Sequence, residues 1–156
     1  MIKKTLFLSI AVLGLFSCSS DDDTATITNE PSIVGKWQPS KFMAYSGKDG
    51  SIIANESSDA NVCDKKGSVD ISSAGKWHEI GYYGNTGGQC TLDVDVTYDY
   101  TYDTASKKLQ VKYSSGTTDV YTVKKLTDTQ LELVEELFDT DGDGIKDEFT
   151  TIYNRQ

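Results

Sequence analysis

The chain has 156 residues, 37% of them hydrophobic and 25% charged, which suits one domain and excludes a large multidomain enzyme. Its 24 acidic residues against 15 basic ones leave a net charge of −9, so no basic stripe can track a nucleic-acid backbone and no nucleic-acid partner is expected. Thirteen glycines, two prolines, two Trp, five Phe and nine Tyr fit neither a collagen-like nor a disordered chain and lean toward β structure.

The chain opens with Lys3 and Lys4, followed by a mostly apolar run over 5–16. That is the pattern of a signal-peptide n-region and h-region, and it is short for a membrane span. The run ends in Leu15-Phe16-Ser17-Cys18, which resembles a bacterial lipobox, where a small residue precedes a cysteine that is acylated and becomes the new N-terminus. The resemblance implies a signal peptide over 1–17 and a lipid anchor on Cys18, tethering the protein to a membrane without a transmembrane helix. An ordinary signal peptide with a chance cysteine is the alternative. Loss of 1–17 removes two lysines and no acid, moving the charge from −9 to −11. The following Ser19-Ser20-Asp21-Asp22-Asp23 resembles the acidic run that exports some Bacteroidetes-type lipoproteins to the outer face of the outer membrane. It implies an outer-membrane lipoprotein exposed at the cell surface, with a periplasm-facing location as the alternative. Residues 18–32 read as a flexible acidic tether, and 33–156 as the folded domain.

The first candidate strands are Gly35–Tyr45, 67–72 and 76–83. Pro39 interrupts the first pattern, and the segment 46–61 is longer and more polar than a tight hairpin, leaving the strand order there open. The clearest signal is 91–103, where Leu92, Val94, Val96, Tyr98, Tyr100 and Tyr102 alternate with acids and threonines. A strand of that length would reach about 40 Å, so a bend or bulge is expected. Further strands follow at 108–114, 120–126, Gln130–Phe138 and 149–155, separated by turn-forming clusters of Ser, Thr, Asp and Gly. No segment of 33–156 has a convincing helical period. Seven or eight short-looped strands form either a two-layer sandwich or a closed barrel. Closure is favoured because it removes exposed edges and needs no crossover connection.

With Cys18 assigned to lipid, Cys63 and Cys90 remain an even pair in an oxidising compartment, which favours a disulfide; two free thiols are the alternative. A bridge would close about 27 residues and contribute about 3.5 kcal/mol in the chain-entropy model. Two thiols and the single His78 do not make a zinc site.

Gly35-Lys36-Trp37 opens the first strand of the domain and Tyr153-Asn154-Arg155 closes the last. The pair resembles the lipocalin superfamily, in which Gly-x-Trp starts the barrel and a basic residue from the final strand lies across the indole. Arg155 is the only arginine in the chain, and a guanidinium over Trp37 gains a cation–π contact. With the lipobox, the acidic tether, the two spaced cysteines and the run Tyr121-Thr122-Val123-Lys124-Lys125-Leu126, the chain resembles the lipocalin-like lipoproteins of Bacteroidetes. That resemblance implies an all-β, antiparallel up-and-down barrel of about eight strands with an interior site for a small, largely apolar ligand. Tyr98, Tyr100, Tyr102, Tyr113 and Tyr121 fall on inward faces and are the candidate lining. The alternative is a structural or interaction protein in which those rings fill the barrel.

The strongest chemical motif is acidic. Asp139-Thr140-Asp141-Gly142-Asp143-Gly144-Ile145-Lys146-Asp147 sets carboxylates at alternate positions with glycine at the sixth, the arrangement by which a curled loop wraps oxygen ligands around Ca²⁺. It resembles the calcium loops of EF-hands and of Asp-rich adhesin repeats. Asp139, Asp141 and Asp143 would offer carboxylates, Ile145 its carbonyl, Asp147 a direct or water-bridged ligand, and Glu148 a substitute for the bidentate Glu that Thr150 replaces. A solvated acidic turn is the alternative. Flanking strands in place of helices would make this a clamped hairpin and not a sensor.

Enzyme activity is not expected. His78 has no triad partner placed by any motif, and neither a phosphate loop nor a nucleophile elbow is present. Glu135 and Glu136 adjoin in a strand and so would face opposite sides.

Overall fold

Alternating sequence becomes strand through most of residues 30–85 and 87–156, the part that the computed structural model describes. The expected signal peptide, Cys18 and residues 19–29 of the tether lie outside the described residues. The strands are β1 (Gly35–Tyr45), β2 (Ser58–Asp59), β3 (Ser68–Ile71), β4 (Lys76–Gly84), β5 (Cys90–Asp103), β6 (Lys108–Lys112), β7 (Thr118–Leu126), β8 (Gln130–Phe138) and β9 (Asp147–Arg155).

They form one antiparallel sheet in the order β2-β1-β3-β4-β5-β6-β7-β8-β9, and β1 also pairs with β9 from Trp37↔Arg155 to Tyr45↔Glu148. That last pairing closes β1 and β3–β9 into an eight-stranded up-and-down barrel, and the sandwich is excluded. Along β5 the burial alternates residue by residue from Val94 to Asp103, so the period-two pattern lies on a half-buried wall. The expected irregularity of this strand is a register shift opposite Gly81 and Tyr82. The β5–β6 turn forms because Asp103 Oδ1 accepts from the backbone N–H of Ala105 at 2.9 Å.

Pro39 is accommodated at a bulge. The β1–β9 register shifts between Pro39 and Lys41, which spares the ladder a missing donor. Ser40 Oγ then donates to the Ile152 carbonyl at 2.8 Å. The polar segment 46–61 holds a 3₁₀ turn at Ala54–Glu56 and β2, which adds a short edge to the outer half of β1.

The two ends of the barrel differ. The first, where β1 begins and β3 and β9 finish, is packed: Ile33, Trp37, Ile71, Leu109, Val111, Val123 and Leu131 are buried there. Each such side chain contributes about 1.5–3 kcal/mol by leaving water. At the other end the wall splits. β5 pairs with β6 only over 99–103, and β7 pairs with β8 only from Thr122↔Val134 onward. The upper halves of β5, β7 and β8 therefore splay and leave a mouth.

Candidate functional site

The closed end shows why Gly35, Trp37 and Arg155 stand where they do. Trp37 is fully buried, and its Nε1 donates to the Ile33 carbonyl at 2.8 Å. The Arg155 guanidinium lies over the indole with Cζ 4.1 Å from the ring centroid. Its nitrogens donate to the carbonyls of Asp128 (2.6 Å), Val34 (2.8 Å) and Ser32 (2.6 Å), tying the last strand to the chain entry and to the β7–β8 turn. A Cβ at Gly35, where φ is +148°, would fall on Arg155 Nη1, so glycine there leaves room for the cation. This end is a floor.

The expected tyrosines belong to the packed half. Tyr98, Tyr100, Tyr102, Tyr113 and Tyr121 all pack against the core cluster. Tyr98 meets Tyr113 edge to face at 4.6 Å between centroids, and Trp77 and Tyr121 lie parallel at 6.3 Å. Tyr100 Oη donates to the Ser72 carbonyl at 2.9 Å, and Tyr113 Oη donates to Asp119 Oδ2 at 2.8 Å. Strand parity turns these rings against the core, and they stay partly exposed.

The cavity lies higher, in the mouth. It measures about 240 Å³ and is bounded by β1, β4, β9, the 64–69 segment and Glu135 of β8. Phe42, Val69, Tyr82 and Tyr153 supply its apolar and aromatic surface, and Glu79 and Glu135 supply carboxylates. None of the five expected tyrosines lines it, but Tyr98 and Tyr113 border a cleft of about 350 Å³, Tyr100 one of about 150 Å³ and Tyr121 one of about 430 Å³. Tyr153 is 8% exposed and its Oη donates to Glu135 Oε1 at 3.3 Å. Glu79 Oε2 accepts from Trp77 Nε1 at 3.4 Å.

Glu135 and Glu136 require a correction. They line two adjoining clefts together, one with Phe42 and Phe149 and one with Asp119 and Tyr121. The β8–β9 register shifts between Val134 and Glu136, so strict alternation does not hold across this pair, and both residues border these clefts. Burial pushes the Glu135 carboxyl above its ordinary value; hydrogen bonds from Thr151 and Tyr153 oppose that rise, and the charges of Glu79 and Glu136 add to it.

Glu79 and Glu135 are the functional candidates that sequence reading missed. Both carried a signal. Glu79 stands two residues from buried Trp77, hence on the inward face of β4, and Glu135 directly follows the buried run Leu131–Val134.

Cys63 and Cys90 are joined by a disulfide at the mouth, linking the segment before β3 to the start of β5. His78 points away from the cavity and its Nε2 lies 2.8 Å from Asp95 Oδ1 on the outer wall.

The acidic hairpin joins β8 to β9 on the rim. Asp139, Asp141 and Asp147 each present a carboxylate oxygen within 4.8 Å of the others. Asp147 is 1% exposed; its oxygens accept from Thr140 N at 2.9 Å and Gly47 N at 3.0 Å, and these donors hold its carboxyl below the usual range. Asp139 accepts from Gly142 N and Gly144 N, closing the curl. Asp143 stands outside the cluster and accepts from Ile145 N at 2.8 Å, and Glu148 is drawn to Lys124 Nζ at 2.6 Å. Ile145 is exposed.

The family model for a lipocalin-like domain matches residues 33–133, a stretch that ends within β8 and stops short of the acidic hairpin. Among solved structures, a bovine odorant binding protein, a deswapped triple mutant, is similar at 13% identity with a TM-score of 0.37, covering 78% of this chain and 72% of that one. No curated protein matches the chain.

Proposed function

The chain belongs to the lipocalin-like domain family, and from that premise we propose that it is a lipid-anchored, non-enzymatic binding protein of the cell envelope that holds a small molecule in the mouth of its barrel. The family's barrel is a small-molecule-binding fold, and its members are generally binding proteins and not enzymes. The observation that carries the reading is the cavity of about 240 Å³ left above a packed floor. That volume, with the adjoining clefts of about 180 and 430 Å³ that share Glu135, suits a small molecule. The lipobox around Cys18 and the acids after it support tethering at the outer membrane, with display at the cell surface.

Native mass spectrometry of protein extracted from its own host tests both parts. The expected spectrum shows a chain that begins at Cys18, carries acyl mass and retains a small molecule through gentle desolvation. An unmodified Cys18 would contradict the anchor, and a ligand-free spectrum would contradict the carrier. The filled lower half of the barrel supports a second reading, an interaction protein without a ligand, and a ligand-free spectrum would favour it.

The reading extends to calcium at the acidic hairpin. Three carboxylates within 4.8 Å of one another repel unless a cation screens them, and flexible oxygen ligands at this spacing suit Ca²⁺ better than Mg²⁺. Excess EDTA should lower the melting temperature, and Asp139→Asn with Asp141→Asn should remove that sensitivity. A melting curve that ignores the chelator would rule the metal out.

A further inference from the structure

We propose that the mouth cavity takes a small organic cation, its ammonium group held between Glu79 and Glu135 and its apolar body against Phe42, Val69 and Tyr82. This inference rests on the carrier reading and narrows it, replacing the largely apolar ligand implied by family resemblance.

Charge is the first reason. Glu79, Glu135 and Asp64 line the mouth cavity, Glu136 joins Glu135 in the two adjoining clefts, and Glu56 and Asp119 border those clefts. No Lys, Arg or His lines any of these three spaces. Elsewhere the wall pairs its charges, as Lys124 does with Glu148 and Lys41 with Asp59. Glu79 is half-buried and Glu135 still reaches solvent at the mouth, so a neutral ligand seated there would displace the water that solvates these carboxylates, at a cost. A neutral apolar guest would strip that water and return nothing to Glu135. An ammonium returns a charge-assisted hydrogen bond.

Surface is the second reason. The walls include the rings of Phe42, Tyr82 and Tyr153, whose faces attract cations and whose edges pack against hydrocarbon. Geometry is the third, and it separates an organic cation from a metal ion. Among the described residues the one set of three or more potential metal ligands that converges is Asp139, Asp141 and Asp147 on the rim. Glu79, Glu135 and Glu136 do not close into such a cage. They surround a space with an apolar wall, as a molecule with a charged end and a hydrophobic body requires.

The test is calorimetric titration of the full folded domain, with its disulfide intact, against three isosteric probes: 2-phenylethylammonium, neutral 2-phenylethanol and anionic phenylacetate. The ammonium should bind about tenfold or more tightly than the alcohol, and phenylacetate should not bind. Glu79→Gln with Glu135→Gln should cost the ammonium about tenfold and leave the alcohol unchanged.

Folding of the variants is itself checkable. The unfolded chain releases the Glu135 proton at the ordinary carboxyl pH and the folded chain only above it. The native state therefore binds more protons across that window, and Glu135 subtracts stability as pH rises through it. Glu135→Gln should thus match the parent in acid and melt higher than it at neutral pH.

Equal binding of the alcohol, or preference for phenylacetate, would overturn the cation and leave the carrier standing. Binding of none of the three would overturn the cation, and the host-extracted mass spectrum would judge the carrier separately. Displacement of the ammonium by calcium chloride would also overturn it, by making the mouth a metal site.

Discussion

Replacing Trp37 with alanine should destabilise the barrel by about 3–5 kcal/mol, the cost of deleting a large aromatic side chain from a packed core. A single domain is typically stable by only about 5–15 kcal/mol, so the variant should unfold at much lower denaturant or resist purification as a folded species. The loss has three parts. The indole is fully buried among Ile33, Ile71 and the barrel floor, so its removal opens a cavity that backbone paired on both sides cannot collapse. The Ile33 carbonyl loses its donor. Arg155 loses the surface it lies on while still fixed by three carbonyls. Trp37→Phe separates these contributions, since it keeps a ring beneath the guanidinium and gives up the hydrogen bond, worth about 1 kcal/mol. Chemical denaturation of the three proteins gives the order: parent, then Trp37→Phe, then Trp37→Ala. If Trp37→Ala unfolds within about 1 kcal/mol of the parent, the floor does not hold the barrel closed.

Removing the disulfide should cost a comparable amount through the unfolded chain. Cys63→Ser with Cys90→Ser frees a loop with a sequence separation of 27, for which the chain-entropy model gives about 3.5 kcal/mol. The bridge also bears on the ligand site. Cys63 directly precedes Asp64, and both Asp64 and Gly67 line the cavity, so the covalent link holds one wall of the mouth against the β4–β5 hairpin. A Cβ at Gly67 would lie 2.8 Å from the Ile80 carbonyl, which shows how closely that wall approaches β4. Binding of the ammonium probe should weaken in the double-serine protein even under conditions where it remains folded. Unchanged stability and unchanged affinity together would mean that the bridge restrains neither the chain nor the mouth.

How much of this was legible before the structure follows from particular residues. Alternation in 91–103 specifies β5 because one face of that strand meets the core and the other meets water. Trp37 and Arg155 are paired by the lipocalin resemblance of Gly35-Lys36-Trp37 and Tyr153-Asn154-Arg155, with Arg155 the only arginine in the chain; residue type alone does not choose the indole, because Gly75-Lys76-Trp77 repeats the triplet. Closure was not legible from pattern alone. A sandwich needs the same inward and outward alternation, and only the β1–β9 register decides between them.

The site was the least legible part. Tyrosines on inward faces read as a lining of one site, yet period two gives the face of a residue and not its height along the barrel, so it cannot tell which rings pack on the core and which of several clefts each one borders. Glu135 and Glu136 read as opposed because alternation is the only rule available to a bare sequence. The bulge between Val134 and Glu136 breaks that rule, and it depends on pairing with β9, which no local signal announces.

A barrel packed at one end and acidic and open at the other is tested most directly by following the 2-phenylethylammonium titration residue by residue in the amide spectrum of isotope-labelled protein. Shifts should concentrate on Phe42, Val69, Tyr82, Glu135 and Tyr153, while Trp37, Ile71 and Leu109 at the floor stay unchanged. Shifts confined to the outer faces of the strands, with the mouth silent, would contradict it.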